Sequence, residues 1–212
     1  MLSKFFKLCN LFNYGGKRKT KILFLVIHFT SNRGDTAKNN AVYFAREVTK
    51  ASAHYFVDEA EIWQSVPDDH IAWHCGADTY YHPECRNYNS IGIEICMNDK
   101  NGRIRQGSIE LAAKLTRELM DKYSIPADRV LRHYDVTHKD CPAPMVDSPA
   151  LWAEFKKMLE VKTVTKDKPA VWAKDAWERA TDAKIVDGTR PYDQLTRQEL
   201  VVVLDKLGLI KK

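Results

Sequence analysis

The pattern of apolar and polar positions divides most of the chain into short strands and amphipathic helices. Residues 22–30 (ILFLVIHFT) and 91–97 (IGIEICM) are nearly continuous apolar runs, which is typical of strands covered on both faces. Two shorter runs, AHYFVD and EIWQSV, are joined around Glu59–Ala60 and predict a hairpin. Residues 129–135 (RVLRHYD) predict another short strand that leads into a polar loop.

Helical spacing dominates three of the segments between these strands. Residues 34–50 predict a helix with Asp35 as its N-cap, and residues 108–123 predict a second helix with Ser108 as its N-cap. Ser148–Pro149 opens a third helix that continues to about residue 160. Because strands alternate with helices, the fold class predicted is α/β, with a mixed central β-sheet flanked by helices.

A change of composition marks the clearest domain boundary. Residues 161–169 (VKTVTKDKP) lose the apolar pattern. We therefore expect a main domain over residues 1–162, a linker over 163–169 and a small helical unit over 170–212. Two helices are predicted in that unit, at residues 170–183 and 195–207, and no second copy of it occurs in the chain.

Composition excludes several classes of protein. Hydrophobic residues make up 44% of the chain and charged residues 29%, as in ordinary globular proteins. A net charge of +5 suits an anionic polymer, but no basic patch with interleaved aromatic residues predicts a nucleic-acid partner. The apolar run 22–29 is too short to span a bilayer, so we expect no membrane partner. Lys7 and Asn10 interrupt the apolar N-terminus, so we expect no export signal and a cytoplasmic location.

The cysteines do not form the pattern of a disulfide framework. There are five of them, and no CxxC pair predicts a zinc ribbon or a thioredoxin-type site. Cys75 and Cys85 flank a polar loop, where they either pair or remain buried free thiols.

Three residues distant in sequence combine into a candidate metal site. His28 lies at the end of the first buried strand, and His133 at the end of another, eight residues before Cys141. One histidine at a strand end is often structural. Two imidazoles and one thiolate, however, would leave a fourth tetrahedral position open, as in catalytic zinc sites.

Five motifs together resemble the type 2 N-acetylmuramoyl-L-alanine amidases, a family that includes amidase-type phage lysozymes and is related to peptidoglycan recognition proteins. The motifs occur in order across residues 21–159: VIHFT, SAHYFVDE, IAWHCG, NSIGIEI and RHYDVTHKDCP. The most diagnostic feature is a histidine followed by seven residues and Cys-Pro, with a lysine two residues before the cysteine.

The resemblance implies one zinc ion per chain, held by His28, His133 and Cys141. It also implies that Glu94 transfers protons and that Lys139 stabilises the tetrahedral oxyanion during hydrolysis of the amide between N-acetylmuramic acid and L-alanine. The alternatives are structural: Glu94 as the partner of a basic residue, and Lys139 as a solvated surface lysine.

The same motifs provide candidate substrate contacts. They are His54, Trp73, His74 and Asn89, although His54 could equally be a core histidine. Some phage members carry a catalytic tyrosine immediately before the histidine of the second motif, where this chain has Ala53. The glutamate branch of the family lacks that tyrosine, so the substitution favours a role for Glu94.

The C-terminal segment resembles one S-layer-homology repeat. Its features are the spaced Trp172 and Trp177, the IVDG turn, and a capping box formed by Thr196 and Glu199. The resemblance implies binding to a secondary wall polymer, whereas its small size favours packing against another subunit.

Together these features predict a zinc amidase of peptidoglycan, specifically a phage or prophage endolysin of a Gram-positive host. The alternative is a recognition protein that binds muropeptides without cleaving them.

Overall fold

The structure is a computed structural model that describes residues 2–97, 99–101, 103–160, 169, 171–186 and 197–210. The chain divides into two compact units, Met1–Glu160 and Val161–Lys212. Apart from Pro169, the expected linker over residues 163–169 lies outside the described residues. In the part of the chain that is described, no helix is both long and apolar enough to cross a membrane.

Among its described residues, the first unit contains eight strands and five α-helices. The strands are β1 (Phe5–Phe6), β2 (Tyr14–Lys17), β3 (Phe24–Phe29), β4 (Tyr55–Val57), β5 (Ile62–Gln64), β6 (His70–Ala72), β7 (Ser90–Ile95) and β8 (Val130–Arg132). The helices are α1 (Ala37–Arg46), α2 (Gln106–Tyr123), α3 (His133–Thr137), α4 (Ala143–Asp147) and α5 (Pro149–Leu159). Short 3₁₀ helices occur at Leu11–Asn13, Asn87–Asn89 and Ala127–Arg129.

Six strands form one mixed sheet in the order β1-β5-β4-β7-β3-β8. Strand β3 lies parallel to both β7 and β8, and β7 lies parallel to β4. Strands β4 and β5 are antiparallel, which confirms the predicted hairpin. Strands β2 and β6 form a separate antiparallel pair that the apolar pattern did not predict. The predicted fold class, a mixed α/β sheet flanked by helices, is confirmed.

The alternation of side chains along β3 separates the main core from the side of the sheet that carries polar chemistry. Leu25 and Ile27 belong to the largest apolar cluster, which includes residues of α2 and α5. Phe24 and Val26 face the opposite side, in a cluster with Cys75, Cys85 and Val136. His28 continues this second series, because successive side chains of a strand point to opposite faces.

Two of the helix caps predicted in the first unit are wrong. The N-cap of α1 is Thr36, whose hydroxyl accepts a hydrogen bond from the Asn39 amide at 3.1 Å. Asp35 instead accepts a hydrogen bond from the Met97 amide at 2.8 Å. Its other carboxylate oxygen accepts a hydrogen bond from the Asn40 side chain at 2.6 Å, so Asp35 links the residues after β7 to α1 without capping an amide of the helix.

The other two caps lie on α2 and α5. Helix α2 begins earlier than predicted, with Arg105 as its N-cap, so Ser108 lies buried inside its first turn. Ser148 caps α5 as predicted, and its hydroxyl accepts a hydrogen bond from the Leu151 amide at 3.3 Å.

The described part of the second unit contains two α-helices, α6 (Lys174–Asp182) and α7 (Arg197–Lys206), close to the predicted positions. A 3₁₀ helix at Val171–Ala173 precedes α6, and Trp172 in it is 90% exposed. Thr196 of the expected capping box lies outside the described residues, as does most of the turn before it.

Candidate active site

Three buried side chains meet at the ends of neighbouring segments of the first unit. His28 lies near the end of β3, His133 is the first residue of α3, and Cys141 follows α3. Their candidate ligand atoms all lie within 4.8 Å of one another, and each residue is at most 5% exposed. The fold therefore brings the three predicted metal ligands together, although 113 positions separate His28 from Cys141.

The geometry of these atoms suits a zinc ion. The Sγ atom of Cys141 lies 3.7 Å from Nδ1 of His28. Zinc bonds of ~2.3 Å to sulfur and ~2.0 Å to nitrogen, at a tetrahedral angle, place the two ligand atoms about 3.5 Å apart. Nδ1 of His133 is buried and has no hydrogen-bond partner among the described residues. A buried nitrogen of this kind is expected where a cation supplies the missing contact.

Burial keeps the two imidazoles in the form that binds metals. It lowers the pKa of His28 well below its usual value, and the nearby His133 lowers it further. Burial also lowers the pKa of His133 to about 4, against an opposing effect of Cys75. Burial raises the pKa of Cys141 to about 12, so a bound cation is needed to hold its thiolate at neutral pH.

The loop that carries His133 and Cys141 is held by its own polar residues. The Tyr134 amide donates a hydrogen bond to the Cys141 carbonyl at 2.8 Å, which ties the two ends of the loop together. Asp135 accepts a hydrogen bond from the Arg132 amide at 2.8 Å and forms an ion pair with its guanidinium at 2.7 Å. The charge of Asp135 therefore stabilises the start of α3.

Glu94 places a carboxyl group next to this cluster. Its strand β7 pairs with β3, and Glu94 is in register with His28. Oε2 of Glu94 is buried and has no hydrogen-bond partner in the described part of the chain. Burial raises the pKa of Glu94 to about 7, although Lys139 lowers it and Asp35 raises it further. A carboxyl group with such a pKa can both take and return a proton near neutral pH.

Two cavities adjoin the cluster, and Lys139 lines both of them. The first, of about 880 Å³, is lined by Glu94, Cys141 and side chains of α1 such as Asn39 and Tyr43. The second, of about 500 Å³, is lined by residues that include Trp73, His74, His133 and His138. A substrate that extends to both sides of the cluster would therefore pass Lys139.

The sequence family described as N-acetylmuramoyl-L-alanine amidase matches residues 18–144, which is more than half of the chain. The chain belongs to this amidase family. The matched segment contains every catalytic and metal-binding residue that the motifs predict.

Individual relatives agree with this assignment. The N-acetylmuramoyl-L-alanine amidase BlyA of Bacillus subtilis is 35% identical over 150 residues, which cover 65% of this chain and 41% of BlyA. A probable N-acetylmuramoyl-L-alanine amidase of Bacillus licheniformis is 33% identical over 160 residues, with 71% and 45% of the two chains covered. The chain therefore matches less than half the length of these curated relatives.

Solved structures of amidases share the fold. The catalytic domain of XlyA superposes with a TM-score of 0.64 and 28% identity, over 74% of this chain and 99% of that domain. A mutant endolysin from Bacillus subtilis gives a TM-score of 0.65 and 29% identity, with 75% and 99% covered. Both superpositions extend over most of this chain and nearly all of the solved chain.

The four predicted substrate contacts divide into two groups. Trp73, which is 36% exposed, and His74 line the second cavity. His54 is fully buried, with Nδ1 accepting a hydrogen bond from the Gly92 amide and Nε2 contacting Arg18. Asn89 is buried as well, where it accepts from the Arg86 amide and donates to a carbonyl. His54 and Asn89 therefore hold the interior together and offer no open surface to a substrate.

Arg18 is the main structural residue that sequence reasoning missed. Its guanidinium donates hydrogen bonds to four carbonyls, those of Asp68, Tyr88, His70 and Ser90, and also contacts Nε2 of His54 at 2.9 Å. In the sequence it belongs to the basic run KRKTK, which has no feature that distinguishes Arg18 from a solvated neighbour.

Proposed function

We propose that this chain is a zinc-dependent N-acetylmuramoyl-L-alanine amidase that cleaves the amide bond between N-acetylmuramic acid and L-alanine in peptidoglycan. The observation that carries the proposal is the convergence of His28, His133 and Cys141 beside the buried carboxyl of Glu94. Membership of the amidase family supports the reaction class.

His28, His133 and Cys141 would hold one zinc ion, with nitrogen and sulfur ligands that this metal prefers. When bound, the ion supplies Lewis acidity that activates water and polarises the carbonyl of the scissile amide. The remaining steps depend on side chains of the protein itself.

Glu94 acts as the proton carrier in this proposal. Its carboxylate accepts the proton of the attacking water, and its carboxylic acid then donates that proton to the nitrogen of the departing L-alanine. The raised pKa, about 7, lets both forms occur near neutral pH. Lys139 provides positive charge where the carbonyl oxygen becomes negative, an interaction whose loss costs about 3 kcal/mol in comparable sites.

The biological role that we propose is that of a phage or prophage endolysin acting on a Gram-positive wall. Support comes from relatives in Bacillus species and from a solved structure described as a mutant endolysin from Bacillus subtilis. In this role the chain would stay in the host cytoplasm and reach the wall after the membrane is breached.

The second unit, proposed to be S-layer-homology-like, would bind a secondary wall polymer or a second copy of the chain. Its exposed aromatic and aliphatic residues, such as Trp172 and Val201, are compatible with either partner. Sedimentation of the full chain with walls stripped of secondary polymer distinguishes between these two partners. Polymer binding predicts loss of cosedimentation, whereas self-association predicts a dimer in solution without walls.

Analysis of digested walls tests the proposed reaction. Purified Gram-positive walls treated with the full chain should release new N-terminal alanine without new reducing sugar. New reducing sugar without N-terminal alanine would identify a glycosidase and contradict the proposal. If the chain bound to the walls but released no fragments from them, it would instead be a recognition protein.

A further inference from the structure

His28 contacts a second histidine through the ring nitrogen that faces away from Cys141. Its Nε2 lies 3.0 Å from Nδ1 of His74, while its Nδ1 faces the Cys141 sulfur at 3.7 Å. The two rings are nearly perpendicular, at 89°. Each ring of a neutral histidine has one N–H group and one bare nitrogen, so the contact requires one of the two rings to donate.

The contact continues to a serine and ends on a backbone carbonyl. Nε2 of His74 lies 3.1 Å from Oγ of Ser90, and Ser90 is fully buried. Oγ of Ser90 in turn donates a hydrogen bond to the Arg86 carbonyl at 2.6 Å. We call this series of four residues, from His28 through His74 and Ser90 to Arg86, the histidine relay.

The carbonyl at the end of the relay fixes the direction of every hydrogen bond in it. A carbonyl only accepts, so Ser90 uses its single hydroxyl hydrogen on Arg86. Ser90 must therefore accept from Nε2 of His74, which leaves Nδ1 of His74 bare. That bare nitrogen must accept from Nε2 of His28, and so Nδ1 of His28 carries no hydrogen.

The thiols of Cys75 and Cys85 also lie beside the relay and interact with Ser90, and Cys75 interacts with His74 as well. Ser90 keeps its hydrogen on the Arg86 carbonyl, which at 2.6 Å is its shortest contact. The Cys75 sulfur lies 3.8 Å from Oγ of Ser90, a longer contact, and the thiol donates to Oδ1 of Asn87 at 3.3 Å. The same Asn87 oxygen accepts from the His74 amide at 3.1 Å, which holds the backbone of His74 in place.

A glycine provides the space that the relay needs. A Cβ atom at Gly92 would lie 2.5 Å from Cγ of His74, well inside van der Waals contact. Gly92 pairs with Val26 on β3, two residues before His28. The absence of a side chain at Gly92 therefore lets the His74 ring lie against the sheet and reach His28.

We propose that His74 and Ser90 are positioning residues that hold His28 in the tautomer whose bare Nδ1 points at Cys141 and His133. The proposal rests on the zinc site of the proposed function. It assigns His74 a role beyond lining the second cavity, because partners behind a metal-bound imidazole orient the ring and raise its basicity.

Nuclear magnetic resonance of the ring nitrogens of the full chain tests the proposal first. In both metal-free and zinc-loaded protein, His74 should be the neutral Nε2–H tautomer. In the metal-free protein, His28 should also be the Nε2–H tautomer. A hydrogen on Nδ1 of either ring in the wild-type protein would overturn the relay.

Zinc affinity, measured by competition with a chromophoric chelator, tests it a second time. The Ser90→Ala variant should bind zinc about 10- to 100-fold more weakly, the usual effect of removing a partner behind a metal ligand. Ser65→Ala is the matched control, because Ser65 is equally buried and its hydroxyl has no hydrogen-bond partner among the described residues. Wild-type affinity in a folded Ser90→Ala variant would contradict the proposal.

These readouts separate the relay from the reaction. A protein with the expected tautomers and zinc affinities but no release of N-terminal alanine would contradict the proposed reaction alone. An active amidase in which Ser90→Ala changes neither tautomer nor affinity would contradict the relay alone.

Discussion

His28 and Glu94 lie directly opposite each other on the neighbouring parallel strands β3 and β7. Residues in register on adjacent strands point to the same face of a sheet. The sheet therefore places a candidate zinc ligand and a candidate proton carrier side by side, without any contribution from a flexible loop. Rigid placement of this kind reduces the entropic cost of reaching a reactive arrangement.

Glu94→Gln should abolish most turnover and leave zinc bound. Glutamine preserves the size of the side chain but cannot take a proton from water, so kcat should fall by about 100-fold or more. Release of N-terminal alanine from purified walls measures the effect, and metal analysis verifies the zinc content. Glu154→Gln, on the exposed face of α5, is the matched control and should behave as wild type. Unchanged kcat in a zinc-loaded Glu94→Gln protein would remove Glu94 from the mechanism.

Lys139→Met should lower kcat with little change in zinc affinity. The variant removes the positive charge that we expect beside the developing oxyanion, an effect of about 100- to 1,000-fold at comparable sites. Steady-state kinetics on a soluble muropeptide separate kcat from KM. Lys157→Met, which removes an exposed lysine from α5, is the control. If both variants gave the same kcat, Lys139 would be only a solvated surface lysine.

Much of the sheet and the candidate metal site could be predicted from the sequence because both depend on strong local signals. The apolar runs around Val26 and Ile93 have the composition of strands covered on both faces, and the structure places them at the centre of the sheet. His28, His133 and Cys141 belong to motifs at strand ends and in a Pro-containing loop, which the fold brings together.

The roles of the buried polar residues could not be predicted in this way. His54 belongs to the same kind of motif as His74, yet the structure buries it completely against Arg18 and Gly92. The difference depends on which carbonyls and amides the neighbouring strands present, and single-sequence patterns do not contain this information. The cap predicted at Asp35 is wrong for the same reason, because one of its hydrogen-bond donors, the Met97 amide, is distant in sequence.

Gly92→Ala should destabilise the protein and weaken its zinc binding. The added Cβ would lie within 3 Å of three atoms of the His74 ring, so the ring must move. Overpacking of this kind costs about 1–3 kcal/mol in the free energy of unfolding. Urea unfolding monitored by tryptophan fluorescence measures this cost.

Gly16→Ala provides the control for the Gly92 variant. A Cβ atom at Gly16 would meet no other atom within 4 Å, so its effect on unfolding should be small. Equal stability of the two variants would show that the space at Gly92 is not needed by His74.

Arg18→Met should lower the free energy of unfolding by about 2–5 kcal/mol, because loss of a half-buried charged donor leaves several acceptors without their hydrogen bonds. The four carbonyls bound by Arg18 include that of His70, the first residue of β6, and that of Ser90, the first residue of β7. Lys19→Met, at an exposed neighbouring position, should change the unfolding midpoint little. A midpoint shift no larger than that of Lys19→Met would contradict a structural role for Arg18.

The central claim is that His28, His133 and Cys141 hold one zinc ion on which amide cleavage depends. Anomalous X-ray diffraction at the zinc absorption edge, on crystals of the zinc-loaded full chain, tests this claim most directly. The account predicts one zinc peak per chain, within bonding distance of Nδ1 of His28 and Sγ of Cys141. A crystal grown with zinc that shows no peak there, or a peak bound only by other residues, would contradict it.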